Sequence, residues 1–169
     1  PGAGAGVEAT GAGAAVEGEG AGDAAGAELL EPPPPQEWVA LDCETTGLDT
    51  RRDHIVSIGA VRIQGQRILT SQRLELLVRP PHGVSADSVR IHQLRERDLA
   101  QGLPVQEVVL QLLHFIGSRP LVGYYLEFDL AMINRVLRPL LGIALPQPRH
   151  EVSALYYDYK FQQLPPHRQ

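Results

Sequence analysis

Four consecutive prolines, Pro32–Pro35, divide the chain. Proline fixes φ near −65° and has no N–H to donate, so neither a helix nor an inner strand passes through such a run; it forms a stiff polyproline II spacer. Upstream, residues 1–28 are almost entirely Ala, Gly and Glu. Their side chains are too small to offset the roughly 1–2 kcal/mol of backbone entropy lost per ordered residue. The expectation is a flexible, solvated tether over 1–37 and a folded domain over 38–169. A silk-like role for the GAGAG runs is opposed by the like charges scattered among them, and a spacer explains the prolines better than a ligand for a proline-binding domain.

Charge follows the same division. Residues 1–37 hold seven acids (Glu8, Glu17, Glu19, Asp23, Glu28, Glu31, Glu37) and no Lys or Arg, which leaves the body with 13 acids against 15 bases. The single cysteine, Cys43, rules out a disulfide framework and a Cys-based zinc site, and it fits a reducing compartment. No apolar run reaches the roughly 18 residues of a membrane span, and no basic-then-apolar leader opens the chain. The default expectation is the cytoplasm. A chain that starts at Pro1 and stops at Gln169 is also expected to be a fragment.

Within the body, residues 38–44 (WVALDCE) alternate. Val39, Leu41 and Cys43 share one face and Trp38, Ala40, Asp42 and Glu44 the other, which predicts a first strand broken by Thr45-Thr46-Gly47. His54–Gln64 reads as a second strand, Gly65-Gln66 as a hairpin turn, and Arg67–Val78 as a third strand closed by Pro80-Pro81. Residues 81–104 read as loop and short helical turns. Val105–Gly117 has helical spacing, Leu121–Tyr124 a fourth strand, and Leu126–Leu141 and Val152–Gln162 two further helices. The order β-β-β-α-β-α-α implies an α/β fold with a mixed sheet.

Asp42 and Glu44, two apart on a strand, point to one face about 7 Å apart, at the carboxyl end where open α/β sheets place ligands. Two carboxylates there raise one another's pKa unless a cation neutralises them, and all-oxygen donors favour Mg²⁺ or Mn²⁺. A solvated strand end is the plainer account of an arbitrary D-x-E.

The surrounding residues narrow this. The run LDCETTGLD resembles the first motif of the DnaQ-like, or DEDD, 3′–5′ exonucleases, whose sheet is of the ribonuclease H type. LVGYYLEFDLAMINR looks like the family's second motif, a strand ending in V-G followed by F-D on a helix. Between them VRIHQL is similar to its V-H-G-I segment. The resemblance covers roughly residues 38–141. It implies that Asp42, Glu44 and Asp129 are catalytic metal ligands in a two-metal site that activates water and stabilises the leaving 3′ oxygen. It further implies that Thr45, Thr46 and Gly47 meet the 3′-terminal nucleotide, and that His92 lines its pocket. The plainer roles are a helix-start carboxylate for Asp129 and a half-buried loop residue for His92.

The chain also departs from the pattern. Tyr124-Tyr125 stands where the family shows H-N, so Tyr125 would stack on a base or merely pack. Gln93 replaces the glycine of H-G-I. After Asp129 the only aspartate is Asp158, preceded by Ser153 at five residues and Ala154 at four, so neither H-x-x-x-x-D nor Y-x-x-x-D is present. The resemblance therefore implies that this polypeptide alone is weak or inactive and that a longer parent is a nuclease. The partners it implies are single-stranded 3′ ends of DNA or RNA, and possibly a DNA polymerase. The body's 14 arginines against one lysine (Lys160) suit phosphate, although ordinary solvated faces explain them equally. Two other readings stand beside the enzyme: a non-catalytic relative binding nucleic acid or protein, and an interaction module built on the proline run. The last leaves Asp42, Glu44 and Asp129 unexplained.

Overall fold

The computed structural model describes residues 29–79 and 101–162. Three strands, β1 (Glu37–Thr45), β2 (Ile55–Gln64) and β3 (Arg67–Leu77), form an antiparallel meander. The alternation of β1 is realised as expected: Val39, Leu41 and Cys43 are buried, and Asp42 and Glu44 are exposed. Gly65 turns the β2–β3 hairpin with φ 57°, a left-handed conformation that suits glycine. β3 is an edge strand, mostly exposed and carrying Arg67, Arg73 and Glu75, charges that discourage pairing with another chain.

Two helices cover one face of this sheet, and two short strands extend it. In α1 (Val105–Ile116), Val108, Val109, Leu112, Leu113 and Ile116 recur at helical spacing and are all buried. The helix stops at Gly117, whose N–H donates to Leu113 O at 2.8 Å. β4 (Leu121–Gly123) returns parallel to β1, with Val39 opposite Leu121. Next come α2 (Leu126–Leu141), β5 (Arg149–Glu151) and α3 (Val152–Gln162). The sheet order is β3-β2-β1-β4-β5, with β4 and β5 parallel to β1. β1 is thus central, and the core gathers its buried face with α1 and α2.

The mixed sheet with flanking helices matches the expectation, and the differences lie at its edges. β5 is the one added element: its three residues, Arg-His-Glu, have no apolar alternation to announce a strand. The four-strand reading is corrected to five. Leu29, placed in the tether by composition, is buried with the core, and Ser118 Oγ donates to Pro32 O at 3.3 Å. Helix α3 has no buried residue, so its helical spacing marks no packed face. Most of the expected loop over 81–104, His92 included, lies outside the described residues. At the loop's end Leu103 bridges Val78. Among the described residues no helix is long and apolar enough to cross a membrane.

Gly123 explains the V-G that ends β4. A Cβ there would lie 2.8 Å from Leu126 Cδ1 and 3.0 Å from the Leu41 carbonyl oxygen. Only glycine lets the first residue of α2 seat directly against β4 and β1, and that seating carries the next turn, with Asp129, to the end of β1.

Candidate active site

The carboxyl end of β1 is a strand that loses its register and becomes a braced turn. Pairing with β2 shifts between Glu44 and Thr45. Thr45 and Thr46 are buried, and their hydroxyls are engaged locally. Thr45 Oγ1 donates to Gly47 O at 2.7 Å, while Thr46 Oγ1 donates to Asp53 Oδ1 at 3.0 Å and accepts the His54 N–H at 2.9 Å. Asp53 Oδ2 also accepts the Asp49 N–H at 2.7 Å. Gly47 is required by this carboxylate, since a Cβ would lie 2.5 Å from Asp53 Oδ2. Asp53, which the sequence motif did not single out, is therefore the brace of the turn. Arg135 of α2 holds the same loop by donating to the carbonyls of Thr50 (2.6 Å) and Asp53.

Asp129 reaches the site from the other side. It sits in the first turn of α2 and is 3% exposed. Its carboxylate accepts hydrogen bonds from the Cys43 N–H and thiol, yet its pKa is raised to about 7, first by burial and then by the Asp42 charge. The Cys43 thiol is pushed well above its ordinary value by burial and by Asp129, Asp42 and Glu44. Cys43 is thus more than the core packing its strand position suggests, because it supplies donors to a buried acid. Asp42 and Glu44 leave β1 on its exposed face, and Asp129 meets β1 at Cys43 on the buried face. Among the described residues no three His, Cys, Asp or Glu side chains are gathered closely enough to hold an ion. Tyr124 and Tyr125 pack edge to face, ring centroids 4.7 Å apart, and both are exposed beside the start of α2.

A family model described as an exonuclease, RNase_T, matches residues 39–167. The chain belongs to this exonuclease family. It is 30% identical over 118 residues to a PolC-type DNA polymerase III of Thermotoga maritima, covering 70% of this chain and 8% of that protein. With the DNA polymerase III subunit epsilon of Aquifex aeolicus it shares 25% identity over 111 residues, 66% of this chain and 54% of that one. The chain therefore spans under two thirds of either relative. Among solved structures, exonuclease I from Methylocaldum szegediense superimposes with a TM-score of 0.60 at 19% identity, covering 71% of this chain and 28% of the other. The metal-free E. coli ExoI–ssDNA complex gives 0.65 at 11%, covering 76% and 30%. These likenesses establish the ribonuclease H-like fold.

In this RNase_T domain one further carboxylate organises the site, and the motifs did not reveal it. Glu151, last residue of β5, accepts the N–H groups of Tyr125 (2.9 Å) and Leu126 (2.8 Å) at the start of α2. It also accepts Ser153 N–H (3.2 Å) and Oγ–H (2.9 Å) at the start of α3. Tyr125 has φ 54°, strained for a non-glycine residue, and its own side chain makes no cap. A carboxylate from a neighbouring strand does the capping instead. The only local signal would have been Glu151-Val152-Ser153, a short acidic helix start.

Desolvation acts to raise the Glu151 carboxyl, but together the hydrogen bonds from Ser153 and the two α2 amides outweigh it and hold the group below its ordinary value of 4.5. A depressed folded-state pKa contributes stability that is present above the unfolded value and lost as pH falls through the folded one. Glu151→Ala is therefore expected to lower the thermal midpoint at pH 7, and the difference from the parent should shrink below about pH 4.5. A constant difference from pH 7 to pH 3 would show that the Glu151 charge is not what holds the helix starts.

The exonuclease family is divalent-metal dependent. The residues here suit such an ion chemically: the donors are carboxylates, and at a pKa of about 7 the buried Asp129 is only partly ionised at neutral pH, a balance that a nearby cation would shift towards the charged form.

Proposed function

We propose that this domain is a 3′–5′ exonuclease that hydrolyses the last phosphodiester of a single-stranded DNA or RNA 3′ end. Asp42, Glu44 and Asp129 are its metal ligands. The observation that supports the reading is the match of the exonuclease family model over residues 39–167, with Asp42 and Glu44 on the exposed face of the central strand's end and the buried Asp129 held at its Cys43. Mg²⁺ or Mn²⁺, held by these carboxylates, would supply a hydroxide-like water and charge stabilisation for the departing 3′ oxygen. The remaining work belongs to the chain's own groups. The braced turn Thr45-Thr46-Gly47 presents its backbone to the terminal nucleotide, and the exposed ring of Tyr125 offers a face on which a base can stack. His92, from the segment between the motifs, would complete the pocket. Attachment to a DNA polymerase is the partner reading favoured by the PolC-type and epsilon relatives. The Ala/Gly/Glu-rich stretch before Leu29 would then space this domain from whatever it is joined to, and the lone buried thiol is compatible with a reducing, cytoplasmic setting.

The direct test is a 5′-labelled single-stranded oligonucleotide incubated with the 169-residue chain and Mn²⁺. Slow, stepwise loss of 3′ nucleotides is expected, slow because no H-x-x-x-x-D or Y-x-x-x-D follows Asp129. Release from the 5′ end, or internal cuts, would overturn the assignment. The non-catalytic reading, motivated by the missing third motif and by Tyr124-Tyr125, would gain ground if a longer chain supplied the motif and still left the oligonucleotide intact.

A further inference from the structure

Beyond the carboxylate site, one face of α2 lines a cavity of about 690 Å³ whose charge is strongly one-sided. Glu127, Ala131, Asn134 and Arg138 recur along one stripe of the helix, and Thr50 and Arg51 of the turn after β1 and Arg149 of β5 close the sides. The arginines differ in what they already bind. Arg149 is neutralised by Glu127, with its Nη1 2.9 and 3.0 Å from the two carboxylate oxygens. Arg135 spends its donors on the carbonyls of Thr50 and Asp53, and no acid among the described residues pairs with it. Arg51 and Arg138 are exposed. Arg52, next in the loop, has Asp49 at 3.9 Å. A second concavity of about 520 Å³ shares Arg51 and Arg135 with it.

We infer that this arginine-lined groove along α2 is a binding track for the phosphate backbone of a single-stranded nucleic acid, set back from its 3′ terminus. Three properties favour that occupant. Guanidinium groups present paired donors matched to phosphate oxygens. A cavity with one paired acid and three arginines that no acid among the described residues pairs focuses positive potential. Its lining reaches Glu127 and Leu130 in the first turn of α2, the end of the helix that carries Asp129 on its opposite, buried side. The inference rests on the exonuclease reading and adds to it a contact that grips the chain upstream of the scissile bond.

The test uses the 169-residue chain and its Arg51→Gln/Arg138→Gln variant, with a fluorescent single-stranded oligonucleotide in EDTA. Anisotropy is followed across a salt series, and thermal melting confirms folding. Single-strand binding weakens with salt at a slope of about −0.7 per phosphate neutralised, so the variant should lose roughly 1.4 from that slope. Its affinity at low salt should fall about tenfold. Calorimetry of Mn²⁺ with a nucleoside monophosphate, which reads only the carboxylate site, should be unchanged in the variant. Unaltered slope and affinity beside an intact Mn²⁺ signal would refute the groove and leave the exonuclease reading standing. A parent lacking the Mn²⁺ signal while the variant still loses oligonucleotide affinity would support the groove and show that the carboxylates of this chain do not assemble a metal site without further residues. Polyglutamate that displaced the oligonucleotide as well as unlabelled DNA does, charge for charge, would reassign the groove to acidic protein.

Discussion

Asp42→Ala is expected to weaken Mn²⁺ binding on the order of 100-fold or more, and to abolish the enhancement that a nucleoside monophosphate gives the parent chain. The reason is electrostatic. Near a protein surface a pair of unit charges at 4 Å is worth about 4 kcal/mol, and each 1.4 kcal/mol is a factor of ten in affinity. Removing Asp42 also removes a neighbour that raises the Asp129 pKa, but burial, the larger cause, remains. Titration calorimetry on both proteins checks this. Equal binding by parent and variant would place the cation elsewhere, and no binding by either would mean that these carboxylates do not assemble a site without further residues.

The second large effect belongs to the core. Ile133 of α2 is fully buried at the seam of α2 with the sheet, in the stripe Leu130, Ile133 and Leu137. Ile133→Ala should destabilise the domain by about 2–5 kcal/mol, the lost transfer energy plus the cavity left behind. The urea midpoint should fall with an unchanged slope. Because Ile133 follows Asp129 by one turn, the variant should also bind Mn²⁺ less well at temperatures near its own transition and normally well below it. A loss smaller than 1 kcal/mol would mean that α2 is held to the sheet mainly by its polar ties.

The residues whose roles were legible in the sequence are those whose pattern is local. The alternation of Val39, Leu41 and Cys43 against Asp42 and Glu44 needs only the period of a strand, and the structure returns it residue for residue. The stripe of α1 and its stop at Gly117 are equally local. Asp129 came from a motif, and the structure adds what a motif does not state: its burial and its donors on Cys43. What was not legible depends on neighbours distant in the chain. Asp53 became the brace of the first turn only because the turn folds back on it, and Glu151 became a double helix cap only because β5 lies beside β4. A three-residue strand without apolar residues has no period to read. The exposed α3 carries the opposite lesson, for a helical pattern in Val152–Gln162 did not imply a buried face.

The central position of β1 sets the order in which this molecule can assemble. β1, β2 and β3 are joined by short connections, so their pairing closes small loops and can form early. The pairing of Val39 with Leu121 closes most of the domain in a single step, and only that step brings Asp129 to Cys43 at the end of β1. Long-range parallel contacts of this kind carry their loop-closure entropy before they return any stabilisation, and they form slowly. The carboxylate site is accordingly a late product of folding. A chain caught with its meander formed and β4 undocked would present Asp42 and Glu44 as ordinary surface acids, without their buried partner.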